Sequence, residues 1–193
     1  MELIQQVPQL SAYLAADDAI DHRHPLVLKV AAGLRSDSGD AYAYAKAAFD
    51  FVRDAIAHSG DAGDPRVTWR ASDVLGQRTG VCYAKAHALT ALLRAEGIPA
   101  ALCYQRLGGV VHGLAAVRLK GRERWARQDP RGNKAGVDAQ FSLDEERLAF
   151  SVRPESSEVD YPVAYAAPHP VVLHTLRTAP DRQSLWPHLP TEL

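Results

Sequence analysis

Residues 82–96 constrain the fold more than any other part of the chain. They are strong helix formers, and Leu89, Leu92, Leu93 and the interspersed alanines make them apolar on nearly every side. That composition predicts a helix buried at the centre of the molecule. Gly97 falls at the C′ position with Ile98 and Pro99 just beyond, the expected stop. The apolar period then shortens. Residues 100–107, 111–119 and 124–128 read as short strands separated by Gly108-Gly109 and Lys120-Gly121, an antiparallel meander. Together these elements predict an α+β fold in which the central helix packs on an antiparallel sheet.

The first eighty residues read as helical. Residues 9–20 place Leu10, Tyr13, Leu14 and Ala16 on one side, and 26–34 are apolar almost all round. Residues 40–57 repeat Tyr44, Ala47, Ala48, Phe51, Val52 and Ile56 at the three-and-four spacing of an amphipathic helix, with Ser38 or Asp40 as its cap and His58-Ser59-Gly60 closing it. Residues 60–65 read as a loop, and a short helical turn starts at Ser72 or Asp73 and ends at Gly76. Seven of the twelve prolines fall at or after Pro154, which predicts a tail that wraps over the domain, with a short helix at 169–178. A chain of 193 residues fits one domain, read here as a helical leader (1–60), a core (65–150) and a Pro-rich tail (151–193).

The 22 basic and 23 acidic residues give a net charge of −1 with no long run of either sign, so no nucleic-acid or membrane partner is expected. Two cysteines are too few for a disulfide scaffold, and the first residues lack a basic, apolar leader. A reduced, cytoplasmic protein is the expectation; nothing in the sequence bears on its oligomeric state.

The same central helix carries chemistry. Gly80-Val81-Cys82 puts a thiol in its first turn, where unpaired N–H groups and the helix dipole favour the thiolate. His112 follows in a strand. Asp129 ends the next strand, before Pro130 stops the ladder. Neighbouring antiparallel strands hold residues about 5 Å apart, so an aspartate can orient a histidine that serves the cysteine. The backbone N–H of Cys82 is one oxyanion donor, with the Gln77 side chain or the Trp69 indole as candidates for the second, and Tyr83 is a candidate to line the site. His87 points elsewhere round the helix and reads as packing, Cys103 as core, and His22-Arg23-His24 as a surface turn. No metal-ligand spacing and no cofactor motif is present.

Residues 69–82 (WRASDVLGQRTGVC) and 91–100 (ALLRAEGIPA), followed by the strand histidine and the aspartate before a loop, resemble the bacterial transglutaminase-like family. The resemblance spans residues 69–133. It implies a papain-like fold and a Cys-His-Asp triad at Cys82, His112 and Asp129. It also implies thiol-dependent acyl transfer or hydrolysis at a peptide or protein amide, through a thioester, with water or an amine as acceptor and no cofactor. A peptide-binding module without catalysis, a protein-glutamine amine transferase and a zinc hydrolase are the rival expectations.

Overall fold

Helix α5 (Cys82–Ala95) runs through the middle of the molecule with residues 83–94 all buried, as its composition requires. The computed structural model describes residues 1–193. Before α5 come strand β1 (Ile4–Gln5), helices α1 (Pro25–Ser36) and α2 (Ala41–Ala55), strand β2 (Ala57–His58), helices α3 (Ser59–Ala62) and α4 (Ala71–Gln77), and strand β3 (Thr79–Gly80). After it come β4 (Ala100–Leu107), β5 (Val110–Val117), β6 (Ala126–Gln128), β7 (Val159–Asp160), β8 (Val163–Ala164), α6 (Pro170–Thr178) and α7 (Arg182–Leu185). No helix is long and apolar enough to cross a membrane.

Strands β4–β7 form one antiparallel sheet in the order β6-β5-β4-β7. Successive side chains of a strand face opposite ways, and here both faces are covered. Ala100, Leu102, Tyr104, Ala115 and Val117 join the core built on α5, while Ala101, Cys103, Leu114 and Ala116 pack with Leu3, Tyr13 and Trp125 on the other side. Helices α1, α2 and α4 cover the remaining sides of α5. The papain-like α+β arrangement is therefore present, with the central helix between a helical layer and the sheet.

Three local expectations change. Residues 9–20 form only a 3-10 turn, Leu10–Leu14. The Asp17 carboxylate accepts the N–H groups of Ala19 and Ile20, each at 2.7 Å, so the chain turns instead of continuing as a helix. Helix α2, capped by Asp40 through the Ala43 N–H (2.8 Å), ends at Ala55. The chain then becomes extended, and His58 lies in β2 rather than closing the helix. The stretch read as a loop at 60–65 begins instead inside helix α3, Ser59–Ala62. The turn expected from Ser72 or Asp73 to Gly76 forms as α4, with Asp21 holding the Ser72 hydroxyl and N–H. The Pro-rich tail supplies β7 to the main sheet and β8 to pair with β1.

Candidate active site

Cys82 opens α5, and Val81 at the N-cap has no side chain that can satisfy the first N–H groups. Those groups and the dipole make the position favourable to an anion. Gly80 is required by space: a Cβ there would sit 3.0 Å from both Thr68 Oγ1 and Ala84 Cβ. A bare backbone lets β3 pass against α5 and deliver the thiol to the floor of a cleft of about 620 Å³. Cys82 is half-buried there.

The sheet brings the next two groups. Strands β5 and β6 pair Ala115 with Gln128, and continuing that register by one residue sets Asp129 across from Leu114, on the same face as His112. His112 Nε2 lies 2.9 Å from Asp129 Oδ2. Asp129 is fully buried and fully engaged, since Oδ2 also accepts the Ala149 N–H (3.2 Å) and Oδ1 accepts the Arg131 N–H (3.1 Å). With Nε2 committed to the carboxylate, Nδ1 is the imidazole nitrogen left for the thiol. Phe150 packs edge-on to the His112 ring at 5.7 Å.

Tyr83 ties the helix to the strand. Its hydroxyl donates to the Val111 carbonyl, and its ring lies where a Cβ on Gly113 would be, 2.7 Å from Cδ1. The residue after the cysteine is thus locked to the residues on both sides of the histidine. Gly113→Ala must push β5 off α5, because the Tyr83 Cα lies 3.0 Å from the same point and cannot swing away. The expected cost is about 1–3 kcal/mol, the usual range for overpacking. Because His112 moves with β5, thiol reactivity is expected to fall at least ~10-fold as well. Chemical denaturation alongside iodoacetamide alkylation rates checks both, and an Ala variant with wild-type alkylation would show that this contact does not set the Cys–His geometry.

Electrostatics follow the geometry. Burial opposes ionisation of the Cys82 thiol, but the His112 charge and hydrogen bonds from His112 and His58 outweigh it and bring the pKa down to about 6. Burial likewise disfavours a charged His112, yet Asp129 and the Cys82 thiolate raise its pKa well above the ordinary histidine range. Asp129 is held below the usual carboxylate range: burial raises it, and His112 and the two backbone N–H groups more than reverse that. Both shifts favour a thiolate beside an imidazolium. Cys103 is the contrast, buried in the sheet with its thiol pushed up to about 12.

The structure brings Cys82, His112, Asp129 and Tyr83 together, but not Gln77 or Trp69. Gln77 is exposed at the end of α4, and Trp69 is half-buried between the guanidinium groups of Arg70 and Arg177. Neither lines the cleft. Sequence reasoning missed His58. Strand β2 pairs in parallel with β3, setting His58 opposite Gly80, and the imidazole reaches the cleft beside the thiol. A two-residue strand carries no periodic signal that would reveal this. His87 packs, its Nδ1 2.8 Å from the Trp69 carbonyl. The surface turn expected at 22–24 is partly wrong, because His22 is buried; His24 caps α1 through the Leu26 N–H. No group of three or more His, Cys, Asp or Glu side chains is arranged to hold a metal ion.

A thiol at the head of a buried helix, set against a sheet that carries a His–Asp pair, defines the papain-like class of α+β proteins. Residues 28–130 match the sequence profile of the transglutaminase-like superfamily, and the chain belongs to that superfamily. None of the curated proteins matches the sequence. Among solved structures, a candidate cysteine protease from Cytophaga hutchinsonii superposes with a TM-score of 0.55 at 20% identity, over 65% of this chain and 43% of its own. The periplasmic domain of TgpA from Pseudomonas aeruginosa gives 0.48 at 22% identity, over 61% and 45%. The chain spans less than half the length of either. The first likeness shows the fold.

Proposed function

We propose that the protein is a cysteine acyl-transfer enzyme that hydrolyses amide bonds through a thioester at Cys82. The observation that carries the reading is the 2.9 Å His112–Asp129 contact beside a thiol whose pKa is depressed, in one open cleft. The thiolate sulfur attacks the amide carbonyl carbon, the C–S bond forms, and the carbonyl electron pair moves onto oxygen. When the tetrahedral species collapses, the C–N bond breaks and the His112 imidazolium gives its proton to the departing amine. His112, now neutral, removes a proton from water, whose oxygen attacks the thioester and returns the thiolate. Asp129 fixes the ring and stabilises its charged form. The Cys82 N–H at the helix start donates to the developing oxyanion.

The cleft wall favours a neutral, apolar acyl group. Its charges are already paired, Arg131 with Asp61 at 2.8 Å and Arg153 with Glu158 at 2.8 Å. Much of the remaining wall is apolar, including Val81, Leu107, Val110, Phe150, Trp186 and Leu189. A charged side chain placed there would lose hydration without gaining a free counter-charge.

The p-nitrophenyl ester of N-acetylphenylalanine tests the proposal. A burst of one nitrophenolate per chain and the N-acetylphenylalanyl mass on Cys82 are expected, at a rate at least ~10-fold above that of the N-acetylaspartyl ester. A module that only binds peptides gives no burst and no adduct, and that outcome would overturn the enzymatic reading.

A further inference from the structure

A second histidine lines the cleft that holds the thiol, carried by a different element from His112. His58 reaches the cleft from the helical half of the molecule, held by the β2–β3 pairing that sets it beside Gly80, while His112 comes from β5. Its side chain is 8% exposed and closely packed. A Cβ on Gly60 would meet the His58 ring at 3.2 Å and the Trp186 indole at 2.9 Å, so the loop, the imidazole and the tail's indole crowd one another.

The His58 ring is not spent on a structural hydrogen bond. Nδ1 is buried without a hydrogen-bond partner, and the nearest carboxylate oxygen, Asp61 Oδ2, is 3.7 Å away. Asp61 is taken up by Arg131 (2.8 Å) and Lys134 (2.9 Å) instead. Nothing therefore fixes the ring proton on Nδ1, and it settles on the nitrogen that meets an acceptor. With Nδ1 on the Asp61 side of the ring, that nitrogen is Nε2, at the other end of an imidazole that lines the same cleft as the thiol.

We propose that His58 is a catalytic residue, the second oxyanion donor, whose Nε2–H hydrogen-bonds the substrate carbonyl oxygen together with the backbone N–H of Cys82. The assignment rests on the acyl-transfer reading above. The base and leaving-group side of the scissile carbon belongs to His112, so the carbonyl oxygen lies on the other side of the sulfur, where His58 stands. In the resting site the same N–H faces the thiolate. On attack, the negative charge passes from sulfur to oxygen within reach of the same donor, and no proton need leave His58. Arg131 braces both halves, since its guanidinium holds Asp61 of the His58 segment and its N–H holds Asp129.

The test separates acylation, which builds an oxyanion, from alkylation by iodoacetamide, which does not. His58→Leu is expected to slow acylation by the N-acetylphenylalanine nitrophenyl ester on the order of 100- to 1,000-fold. Its limiting alkylation rate, measured at a pH where the thiol is ionised, should stay within about threefold of wild type. His58→Gln keeps an N–H donor and is expected to retain at least about a tenth of the acylation rate. Acylation and limiting alkylation falling together, or Gln falling as far as Leu, would overturn the assignment. If the Leu variant does not fold, the wild-type protein decides. N-acetylphenylalaninal adds to the thiolate and places a hemithioacetal oxygen at the same point, and the His58 Nε2–H proton resonance must shift downfield. An unmoved resonance sinks the proposal. A wild-type protein that forms no acyl-enzyme or hemithioacetal at all sinks the acyl-transfer reading instead.

Discussion

Cys82→Ala is expected to lose acyl-enzyme formation outright, with turnover of an amide or activated ester falling on the order of 10⁴- to 10⁶-fold. The loss is chemical rather than structural. The side chain is small and half-buried at the cleft floor, and Val81, Tyr83 and Ala84 carry the packing at the start of α5. Thermal unfolding is therefore expected within a few degrees of wild type. The second thiol cannot substitute. Cys103 is fully buried on the far face of β4, and burial holds its thiol at about 12, so at neutral pH it is neither ionised nor reachable. Iodoacetamide should accordingly add one label per native wild-type chain and none to the Ala variant, as read by intact mass. An Ala variant that keeps more than a tenth of wild-type turnover would show that the nucleophile lies elsewhere.

The residues that carry strong local physics were legible in the sequence. The run of helix formers ending at Gly97-Ile98-Pro99 gives α5 to within a residue, and the short, nearly continuous apolar runs after it give β4 and β5 because both faces of those strands are buried. The candidates Cys82, His112 and Asp129 were named from the sequence, and they lie at the start of α5, within β5 and just past β6. What stayed hidden depends on contacts between distant segments. His58 is brought to the thiol by a two-residue parallel pairing across twenty-two positions, which leaves no periodic trace. The helix expected at 9–20 fails because one carboxylate, Asp17, offers the backbone a better partner than the next helical carbonyl. Gln77 and Trp69 lie near Cys82 in sequence, but α4 turns the first outward, and two arginines hold the second away from the cleft. Proximity along the chain says little about direction when a short helix intervenes.

Asp129→Asn is expected to be the most damaging change that keeps the shape of the site. One carboxylate oxygen accepts two hydrogen bonds, from His112 and the Ala149 N–H, and the other accepts one, from the Arg131 N–H. An amide can serve only one of these sides. The cheaper orientation puts its oxygen at the doubly used position and turns its NH₂ toward the Arg131 N–H, leaving a buried donor facing a donor. That costs about 1–3 kcal/mol of stability. The His112 tautomer survives in this orientation, but the charge behind it is gone. Without that charge the imidazolium is less stable, so the raised His112 pKa falls. The thiol then loses part of its cationic neighbour, and its pKa rises from about 6 toward the ordinary cysteine range. In the wild type, alkylation of Cys82 should rise as pH increases through about 6, as the thiolate forms. In Asp129→Asn that limb moves to higher pH and the imidazolium limb moves lower, so the pH window in which both charges coexist narrows from both sides. Acylation at pH 7 is expected to drop on the order of 10²- to 10⁴-fold. Iodoacetamide rates from pH 4 to 10, with nitrophenyl ester kinetics over the same range, report both limbs. Should the variant unfold more easily yet keep the wild-type acid limb, Asp129 would be a packing residue, and the depressed thiol pKa would have to come from the helix start and the two histidines alone.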